Sequence, residues 1–552
     1  MTPTHVEHRL LGSPGCGKTT RIAEQVGNII DRYGMSSCLI ASFTRAGAVA
    51  IADKLAEVGL EVDRNLVGTM HSVCYRNLHR PTIAESKISE FSAENPVAAI
   101  TDKKVDPDDP YSGCVDPSSP GASALEEYNL LRNLMRPREV WPGSATAFAE
   151  KWERWKDAKG YMDFTDLLEY HLQHDGAPMS PRFIILDEAQ DCTPLQFALA
   201  RHWAASAEYV QFTGDDDQTL FQFLGASPEL LLDPPLAPEF VHVLDQSHRL
   251  PRAVHAVAGE WIKHVSRRQE KVFRPRDAEG EVRREDFRAD TPETIIADLM
   301  RYHAEGKTIM LLTSCSYMLD PLKAALKAAG LAFHNLYRSK RGDWNPLGAG
   351  RGTSMLTRLL TFLRTSRAAY GADARMWTCS EIDVWGAALE AEGVFIRGGK
   401  RQLDALATET RLATDDDLAK TFLPEVQNYL TFGADEENER DDLRLAEIDF
   451  YERHCMTAKK KALEFPLLIA RRRGIPALRE EPRITIGTVH SVKGGEGDAV
   501  FLFPDLSLAA YREWETAGAT RDAIRRLFYV GMSRARESLI LCAPSQKLAV
   551  EW

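Results

Sequence analysis

Residues 9–20 read RLLGSPGCGKTT: an apolar run, a glycine-rich turn and the first residues of a helical pattern. From Gly12 to Thr19 this stretch matches G-x-x-x-x-G-K-[ST], whose glycines let backbone N–H groups cradle phosphate oxygens at a helix N-terminus. In such a turn Lys18 would neutralise the β- and γ-phosphates of a nucleotide, and Thr19 would ligate Mg²⁺. The strand before the turn and the helix after it therefore predict an α/β nucleotide-binding domain. The predicted nucleotide-binding residues of this stretch are Gly12, Ser13, Pro14, Gly15, Cys16, Gly17, Lys18, Thr19 and Thr20.

A second signal is the run FIILDEAQD at residues 183–191, which is apolar at first and then turns acidic. A strand that is buried on both faces has this composition. Taken alone, the acids would fit a helix N-cap as well as a catalytic role. Together with the phosphate-binding pattern, they predict that Asp187 holds Mg²⁺ and that Glu188 orients or deprotonates the attacking water.

Length and composition narrow the class of protein. A chain of 552 residues suggests about three to five domains or subdomains. Its 44% hydrophobic, 27% charged and 9% aromatic residues exclude a disordered, collagen-like or disulfide-scaffold protein. No apolar run approaches the length of about 18 residues that a membrane span needs. Nine cysteines without a C-x-x-C pair fit a reducing cytoplasm.

The formal net charge is −12, whereas a protein that coats nucleic acid without specificity is usually basic. This balance still allows a locally positive groove on an acidic body. Each local basic run is interpreted as a solvated face. These runs are 267–268 with 271, 274 and 276, then 459–461, and 471–473.

The apolar patterns divide the chain into two α/β units, each interrupted by a helical block. In the first unit we predict strands at 9–11, 38–41 and 183–186 and helices at 19–32 and 46–58. The second unit is expected to begin near Phe240. There we predict strands at 308–313, 484–486 and 500–503, a helix at 319–329 that ends at Gly330, and a helix at 523–532. The two blocks contain a loop at 106–122 and an acidic run at 435–442.

Further motifs resemble, in order, those of the UvrD/Rep-type superfamily 1 helicases. DEAQD at 187–191 is similar to motif II of that family. The other matches are ASFTRA at 41–46 (motif Ia), GTMHS at 68–72 (the T-x-H-S motif), DFTDLL at 163–168 (the D-F-x-D-L-L motif), GDDDQTLFQF at 214–223 (motif III), QSHR at 246–249 (motif IV), TIGTVHSVKGGE at 485–496 (motif V) and FYVGMSRAR at 528–536 (motif VI). The resemblance extends from Gly12 to Arg536, nearly the whole chain.

The resemblance implies an α/β fold with two RecA-like P-loop NTPase domains, each interrupted by a mainly helical inserted subdomain. We therefore expect the first RecA-like domain, 1A, at 1–79 and 161–239, with the helical insertion 1B at 80–160. The second, 2A, is expected at 240–344 and 476–552, with the helical insertion 2B at 345–475.

The resemblance also implies a role for individual motif residues. The catalytic residues would be Lys18, Asp187, Glu188, Gln218, Arg249 and Arg534. Arg249 and Arg534 would reach the γ-phosphate from the second α/β unit as arginine fingers, and Gln218 would sense that phosphate. His248 and Glu496 would contact the base and the ribose. The DNA-binding residues would be Phe43, Thr44, Arg45, His71, Phe221, Phe223, Thr488 and His490, whose phenylalanines suit base stacking.

The sequence departs from the family pattern in three places. No glutamine occurs in the eleven residues before Gly12, so we expect weak discrimination between ATP and GTP. His248 stands where the family usually has tyrosine and offers a smaller surface for stacking. Glycines surround Glu496 where the family has bulkier apolar residues, which predicts a more mobile loop.

Three functions remain open at this point. The resemblance implies a DNA helicase that moves 3′ to 5′ on single-stranded DNA, with ATP and Mg²⁺ as cofactors. The alternative is a nucleic-acid translocase that remodels protein–DNA complexes with little duplex unwinding, because the insertions are short for the family. A non-motor P-loop NTPase would lack paired arginines in a second α/β unit. Expected partners are single-stranded DNA, its junctions with duplex, and loading, repair or replication proteins, for a cytoplasmic monomer or weak dimer.

Overall fold

The computed structural model describes residues 6–60, 63, 66–100, 119–174, 176–336, 346–347, 353–363, 377–430 and 441–552. The predicted loop at 106–122 and the predicted acidic run at 435–442 lie mostly outside these residues. The chain forms two compact units, which are Met1–Arg284 with Lys493–Leu541 and Leu548–Trp552, and Glu285–Val492 with Cys542–Lys547. Among the described helices, none is long and apolar enough to cross a membrane.

The first sheet has six strands. They are β1 (Val6–Gly12), β2 (Cys38–Ser42), β3 (Val67–Thr69), β4 (Phe183–Asp187), β5 (Tyr209–Gly214) and β6 (Val241–Leu244). Their order across the sheet is β3-β2-β4-β5-β1-β6, and every neighbouring pair is parallel.

Parallel pairing brings the carboxyl ends of these strands to one edge of the sheet. The glycine-rich turn follows β1, DEAQD continues from β4, GDDDQ continues from β5, and QSHR follows β6. Ligands of open α/β sheets bind at this edge. The strand order therefore gathers motifs that are far apart in the sequence.

Helices cover the apolar strands of the first sheet. β2 is buried along its whole length, which explains its continuous apolar composition. The helices α1 (Lys18–Tyr33) and α2 (Arg45–Glu57) share a core with it, in which Ile22 and Ile51 are fully buried. Further helices of this part are Met70–Asn77, Phe164–His174, Pro194–Ala204, Pro228–Leu232 and Arg252–Ile262.

The first sheet continues beyond residue 240. β6 pairs with β1, from Arg9 opposite Val241 to Gly12 opposite Leu244. This pairing corrects the expectation that the second α/β unit begins near Phe240. β6 is an edge strand with half of its residues exposed, so it lacks the apolar run that identifies buried strands in a sequence.

The first helical block has a core of its own. Its helices are Ile88–Glu94, Pro120–Asn133 and Gly143–Lys159. Phe148, Trp152 and Trp155 lie on one face of the last helix and pack with Phe91. The predicted helical character of this block is confirmed.

The second sheet also has six strands. They are β7 (Glu281–Glu285), β8 (Ile309–Thr313), β9 (Phe333–His334), β10 (Ile484–Thr488), β11 (Gly497–Leu502) and β12 (Ala535–Cys542), in the order β7-β12-β11-β8-β10-β9. β10 pairs in parallel with β8 and β9, and β11 pairs in parallel with β12. Its helices are Ile296–Ala304, Leu319–Ala329, Leu508–Glu515 and Ala519–Met532. The predicted helix end at Gly330 is confirmed by a φ angle of 68°.

The second helical block surrounds another aromatic core. Its helices are Met355–Phe362, Cys379–Gly386, Gly399–Leu406, Asp415–Ala419, Pro424–Leu430, Asp441–His454 and Thr457–Arg473. The ring of Phe362 lies 5.2 Å from that of Trp385 and 4.9 Å from that of Tyr451, measured between centroids. The chain thus contains two six-stranded sheets, each with flanking helices and with a helical block between its strands. This arrangement confirms the predicted α/β fold class.

Candidate active site

The glycine-rich turn leaves β1 at Gly12 and enters α1 at Lys18. Gly15 and Gly17 have φ angles of 74° and 76°, in the left-handed region where other residues are strained. A Cβ atom on Gly15 would also lie 2.4 Å from the Cβ atom of Arg249. The Lys18 ammonium group donates to the Gly12 carbonyl at 2.6 Å. The turn therefore has a backbone shape suited to holding phosphate.

The QSHR segment packs directly on this turn. Ser247 Oγ donates to the Pro14 carbonyl at 2.9 Å, and the His248 backbone N–H donates to the Gly15 carbonyl at 2.9 Å. The His248 side chain is exposed, with its Cδ2 atom 3.9 Å from the position of a Cβ on Gly17. The imidazole thus lies beside the turn, where the base of a bound nucleotide could stack on it.

Arg249 follows β6 and therefore belongs with the first sheet, which corrects the prediction that it comes from the second α/β unit. Its Nε atom lies 2.7 Å from Glu496 Oε2. Arg536 lies 3.3 Å from the other oxygen of Glu496. Glu496, which we expected at the ribose, is thus held between two arginines.

The DEAQD carboxylates at the end of β4 have opposite pKa shifts. Burial and the neighbouring Glu188 charge raise the pKa of Asp187 to about 7. Asp187 Oδ1 has no hydrogen-bond partner among the described residues. Burial also acts to raise the pKa of Glu188, but the charges of Lys493 and Lys18 lower it to about 2. The site thus contains one buried carboxylate with an oxygen that has no partner among the described residues, and one that is paired with Lys493.

Gln218 connects motif III with motif VI. Its amide nitrogen donates to Asp215 Oδ2 at 2.6 Å, and its amide oxygen accepts from Arg534 Nη2 at 2.9 Å. The buried Arg534 guanidinium also donates to the carbonyls of Val530, at 3.0 Å, and Gly495, at 3.1 Å. These protein contacts hold Arg534 beside the motif III loop.

Lys271 was not predicted as part of this region. Its ammonium group lies 2.8 Å from Asp215 Oδ1 and 3.2 Å from Asp217 Oδ2, and it also contacts Asp216. Burial would lower the pKa of Lys271, but the three carboxylates raise it above its ordinary value. Arg268 adds two hydrogen bonds to Asp217, at 2.9 and 2.6 Å.

The basic run at 267–276 is therefore not simply a solvated face, which corrects that interpretation. The side chain of Lys271 is only 1% exposed. Three consecutive acids between buried elements signal the need for a counter-charge. The sequence contains no indication of which cation supplies it.

The three candidate stacking residues differ in exposure. Phe43 and Phe221 are buried, with ring centroids 5.0 Å apart. Phe223 is 60% exposed, and its ring lies 5.9 Å from that of Phe221. Of these three, Phe223 is therefore the exposed ring, and the buried ring of Phe221 contacts both of the others.

Three further DNA-binding candidates lie at helix N-termini of the first unit. Thr44 caps α2 by accepting from the Gly47 N–H at 3.0 Å, and Arg45 is exposed in the first turn. His71 is buried, and burial lowers its pKa to about 4.

The last two candidates lie in the second unit, at the end of β10 and just beyond it. Thr488 Oγ1 accepts from the Ser491 N–H at 3.2 Å, and His490 is partly buried.

The DFTDLL motif forms a buried ionic network. Arg132 lies 2.9 Å from Asp163 and 2.7 Å from Asp166. Trp152 Nε1 donates to Asp163 at 3.0 Å, and Lys156 contacts both aspartates. This motif therefore joins the first helical block to the helix Phe164–His174.

Two protein-family models match the chain. Residues 4–224 match the AAA domain, and residues 471–546 match the UvrD-like helicase C-terminal domain. The first match contains the glycine-rich turn, DEAQD and motif III. The second contains motifs V and VI.

The chain is also similar to three named proteins. It is 24% identical over 584 residues to the ATP-dependent DNA helicase UvrD2 of Mycobacterium tuberculosis strain H37Rv, covering 96% of this chain and 76% of UvrD2. It is 24% identical over 259 residues to YjcD of Bacillus subtilis strain 168, covering 42% of this chain and 33% of YjcD. It is 24% identical over 347 residues to the ATP-dependent DNA helicase PcrA of Staphylococcus aureus strain Mu50, covering 54% of this chain and 44% of PcrA.

Proposed function

We propose that this chain works as a UvrD/Rep-type superfamily 1 helicase, which hydrolyses ATP to move 3′ to 5′ along single-stranded DNA and to unwind duplex DNA. The proposal depends mainly on the contacts of the motif III loop, residues 214–223. It bonds Arg534 through Gln218 and presents Phe223 to solvent a few residues later. One loop thus connects a nucleotide-site arginine with a surface on which a base can stack. The names of UvrD2 and PcrA support the reaction and the substrate, and the direction of movement follows the family resemblance.

For nucleotide binding, we propose that the phosphates of ATP occupy the turn at Gly12–Thr20. The backbone N–H groups at the start of α1 would donate hydrogen bonds to the phosphate oxygens. Lys18 would release the Gly12 carbonyl and donate instead to oxygens of the β- and γ-phosphates. His248 would stack on the base from its position beside Gly17.

The residues present fit a Mg²⁺ ion. Thr19 and Asp187 would hold it, because Asp187 is buried with one oxygen that has no partner among the described residues. Oxygen ligands of this kind suit Mg²⁺. When bound, Mg²⁺ would neutralise charge on the β- and γ-phosphates.

For hydrolysis, we propose that Glu188 orients the attacking water. A carboxylate with a pKa of about 2 is a weak base, so orientation is the larger part of its role. Lys18, Arg249 and Arg534 would stabilise the charge that develops on the γ-phosphate. Arg249 would have to leave Glu496 to do so.

For DNA binding, we propose that bases stack on Phe223 and that phosphates contact Arg45 and the N-terminus of α2. Phe43, Thr44, His71 and Phe221 would support this surface, and Thr488 and His490 would contribute from motif V. The substrates would be single-stranded DNA and its junctions with duplex, bound by a monomer or weak dimer. The four-part organisation 1A, 1B, 2A and 2B remains our proposal, with β6 assigned to 1A.

Strand displacement on partial duplexes tests the proposal. Duplexes with a 3′ or a 5′ single-stranded tail are incubated with ATP and Mg²⁺, and release of the shorter strand is followed by gel electrophoresis. We expect release from the 3′-tailed duplex, and none with the Lys18→Ala variant. Release only from the 5′-tailed duplex would contradict the direction. ATP-dependent removal of a bound protein without strand release would favour the translocase instead.

A further inference from the structure

The described residues form a pocket of about 530 Å³ that contains no residue of the glycine-rich turn, DEAQD or motif III. Its walls include three tryptophans, Trp261, Trp514 and Trp552, and smaller apolar side chains. All of its lining residues belong to the first compact unit. Small-molecule sites in proteins have volumes of about 300–1,000 Å³. The pocket is therefore large enough for a ligand the size of a nucleotide.

The three indole rings form an aromatic wall. The planes of Trp261 and Trp514 lie within 2° of each other, with ring centroids 6.0 Å apart. The ring of Trp552 lies 5.8 Å from that of Trp261, again between centroids. Trp261 Nε1 donates to the Arg525 carbonyl at 2.8 Å, so the protein satisfies its polar group and the rest of the ring is apolar surface. Flat nucleobases stack on aromatic surfaces of this kind.

Charged side chains of both signs lie among the lining residues. Glu260 and Arg525 already form ion pairs with neighbours on the protein, at 2.7 and 3.3 Å. The remaining carboxylate and guanidinium groups, of Glu551 and Arg284, are exposed. A purely cationic ligand would meet Arg284, and a purely anionic ligand would meet Glu551. The charges therefore suit a ligand that offers hydrogen-bond donors on one side and negative charge on another.

We propose that this pocket binds a guanine base and its phosphate, from a free nucleotide or from a DNA strand. An ionised carboxylate only accepts hydrogen bonds, so Glu551 requires donors on the ligand. Guanine presents two adjacent donors, N1–H and N2–H, on its Watson–Crick edge. Adenine and cytosine place an acceptor beside their amino group, and thymine places its one donor between two acceptors. Arg284 donates to the phosphate, whose oxygens match the guanidinium fork.

Equilibrium dialysis with labelled guanosine 5′-monophosphate tests the proposal. Excess Mg·ADP keeps the glycine-rich turn occupied, and adenosine 5′-monophosphate is the comparison ligand. We expect the guanosine ligand to bind about tenfold more tightly than the adenosine ligand, because only guanine satisfies the carboxylate with two donors.

Three variants locate this preference. Glu551→Gln should abolish it, because the amide replaces one acceptor oxygen with a donor. Trp514→Ala should weaken binding of guanosine monophosphate about tenfold, through the loss of stacking. Glu513→Gln is the matched control, an exposed glutamate that does not line the pocket, and it should change neither affinity. Thermal unfolding verifies that the variants fold, and Glu551→Gln decides the test if Trp514→Ala is unstable.

Oligonucleotides distinguish the two sources of the base. Fluorescence anisotropy compares oligothymidylate with the same strand carrying one central guanine. Tighter binding of the guanine strand that is lost in Glu551→Gln would assign the pocket to DNA, and a preference confined to the monophosphate would assign it to a free nucleotide. No preference for guanine in either assay, or a preference that survives in Glu551→Gln, would overturn the inference.

Discussion

At the residue scale, the charged groups of the site already have protein partners. Lys18 bonds the Gly12 carbonyl, Arg249 pairs with Glu496, and Glu188 pairs with Lys493. Nucleotide binding must exchange some of these contacts for contacts to phosphate. At Arg249 this exchange replaces a carboxylate with a phosphate, so the net gain is the difference between two charge-assisted interactions.

Gly15→Ala should abolish nucleotide binding. The new Cβ would lie 2.4 Å from the Cβ of Arg249, and the φ angle of 74° adds about 1–2 kcal/mol of strain. Gly34→Ala is the matched control, since its φ angle is 84° and no atom lies within 4 Å of the new Cβ. A fluorescent ATP analogue measures affinity for both variants. Normal affinity in Gly15→Ala would show that the turn opens away from Arg249.

Arg534→Ala should lower kcat by about 10³-fold while nucleotide affinity changes little, because an arginine finger acts mainly on the transition state. Arg534→Lys should rescue poorly, since one ammonium group cannot reach Gln218, Val530 and Gly495 together. Steady-state ATPase assays and nucleotide titrations on the same variants measure both quantities.

Arg526→Ala is a control for the loss of a buried arginine. Arg526 lies on the helix Ala519–Met532, which ends two residues before Arg534, and donates to the carbonyls of Asp216 and Arg267. We expect a much smaller fall in its kcat. A similar fall in both variants would assign Arg534 a structural role and shift the finger role to Arg249.

At the element scale, the segment that follows the helix Arg252–Ile262 holds the motif III loop in place. Lys271 and Arg268 neutralise Asp215, Asp216 and Asp217, so three adjacent acids can be buried together. The same segment reaches motif IV, where Arg276 Nε donates to the Arg249 carbonyl at 3.0 Å. Two motifs of the nucleotide site therefore depend on residues outside any motif.

Lys271→Met should destabilise the protein by about 3–5 kcal/mol, because it leaves buried carboxylates without their cation. The measurement is the urea midpoint of unfolding, followed by circular dichroism. Lys263→Met removes an equally long but exposed lysine and should leave the midpoint unchanged. If the two variants unfold at the same midpoint, water or relaxation of the loop compensates the aspartates.

At the scale of the whole molecule, two six-stranded sheets carry the chemistry and the helical blocks between their strands have separate cores. The net charge of −12 leaves little general attraction for DNA. Affinity must therefore come from local features, among which the exposed ring of Phe223 is prominent.

Phe223→Ala should weaken single-stranded DNA binding by about 1–3 kcal/mol, the range for one stacked base. Anisotropy of a labelled oligothymidylate gives the dissociation constant. Tyr317→Ala is the control, because Tyr317 is an aromatic residue of similar exposure, 57%, outside the motifs. Unaltered affinity in Phe223→Ala would place the bases on another surface.

The sequence by itself determined the local elements of this protein. The glycine spacing before Lys18, the apolar runs of β2 and β4, and the helix that ends at Gly330 all follow from neighbouring residues. Apolar runs and glycine positions act on backbone conformation within a few residues, which is why they can be read without a structure.

Tertiary structure alone decided which distant residues meet. The pairing of β6 with β1 brought Arg249 to the glycine-rich turn, and the path of the chain brought Lys271 to Asp215. It also buried Phe43 and Phe221 while leaving Phe223 exposed. Strand order and burial depend on contacts between segments far apart in the sequence, and one residue type can lie on a surface or in a core, as the three phenylalanines do. The local sequence pattern around such a residue therefore does not identify the distant residue that it contacts.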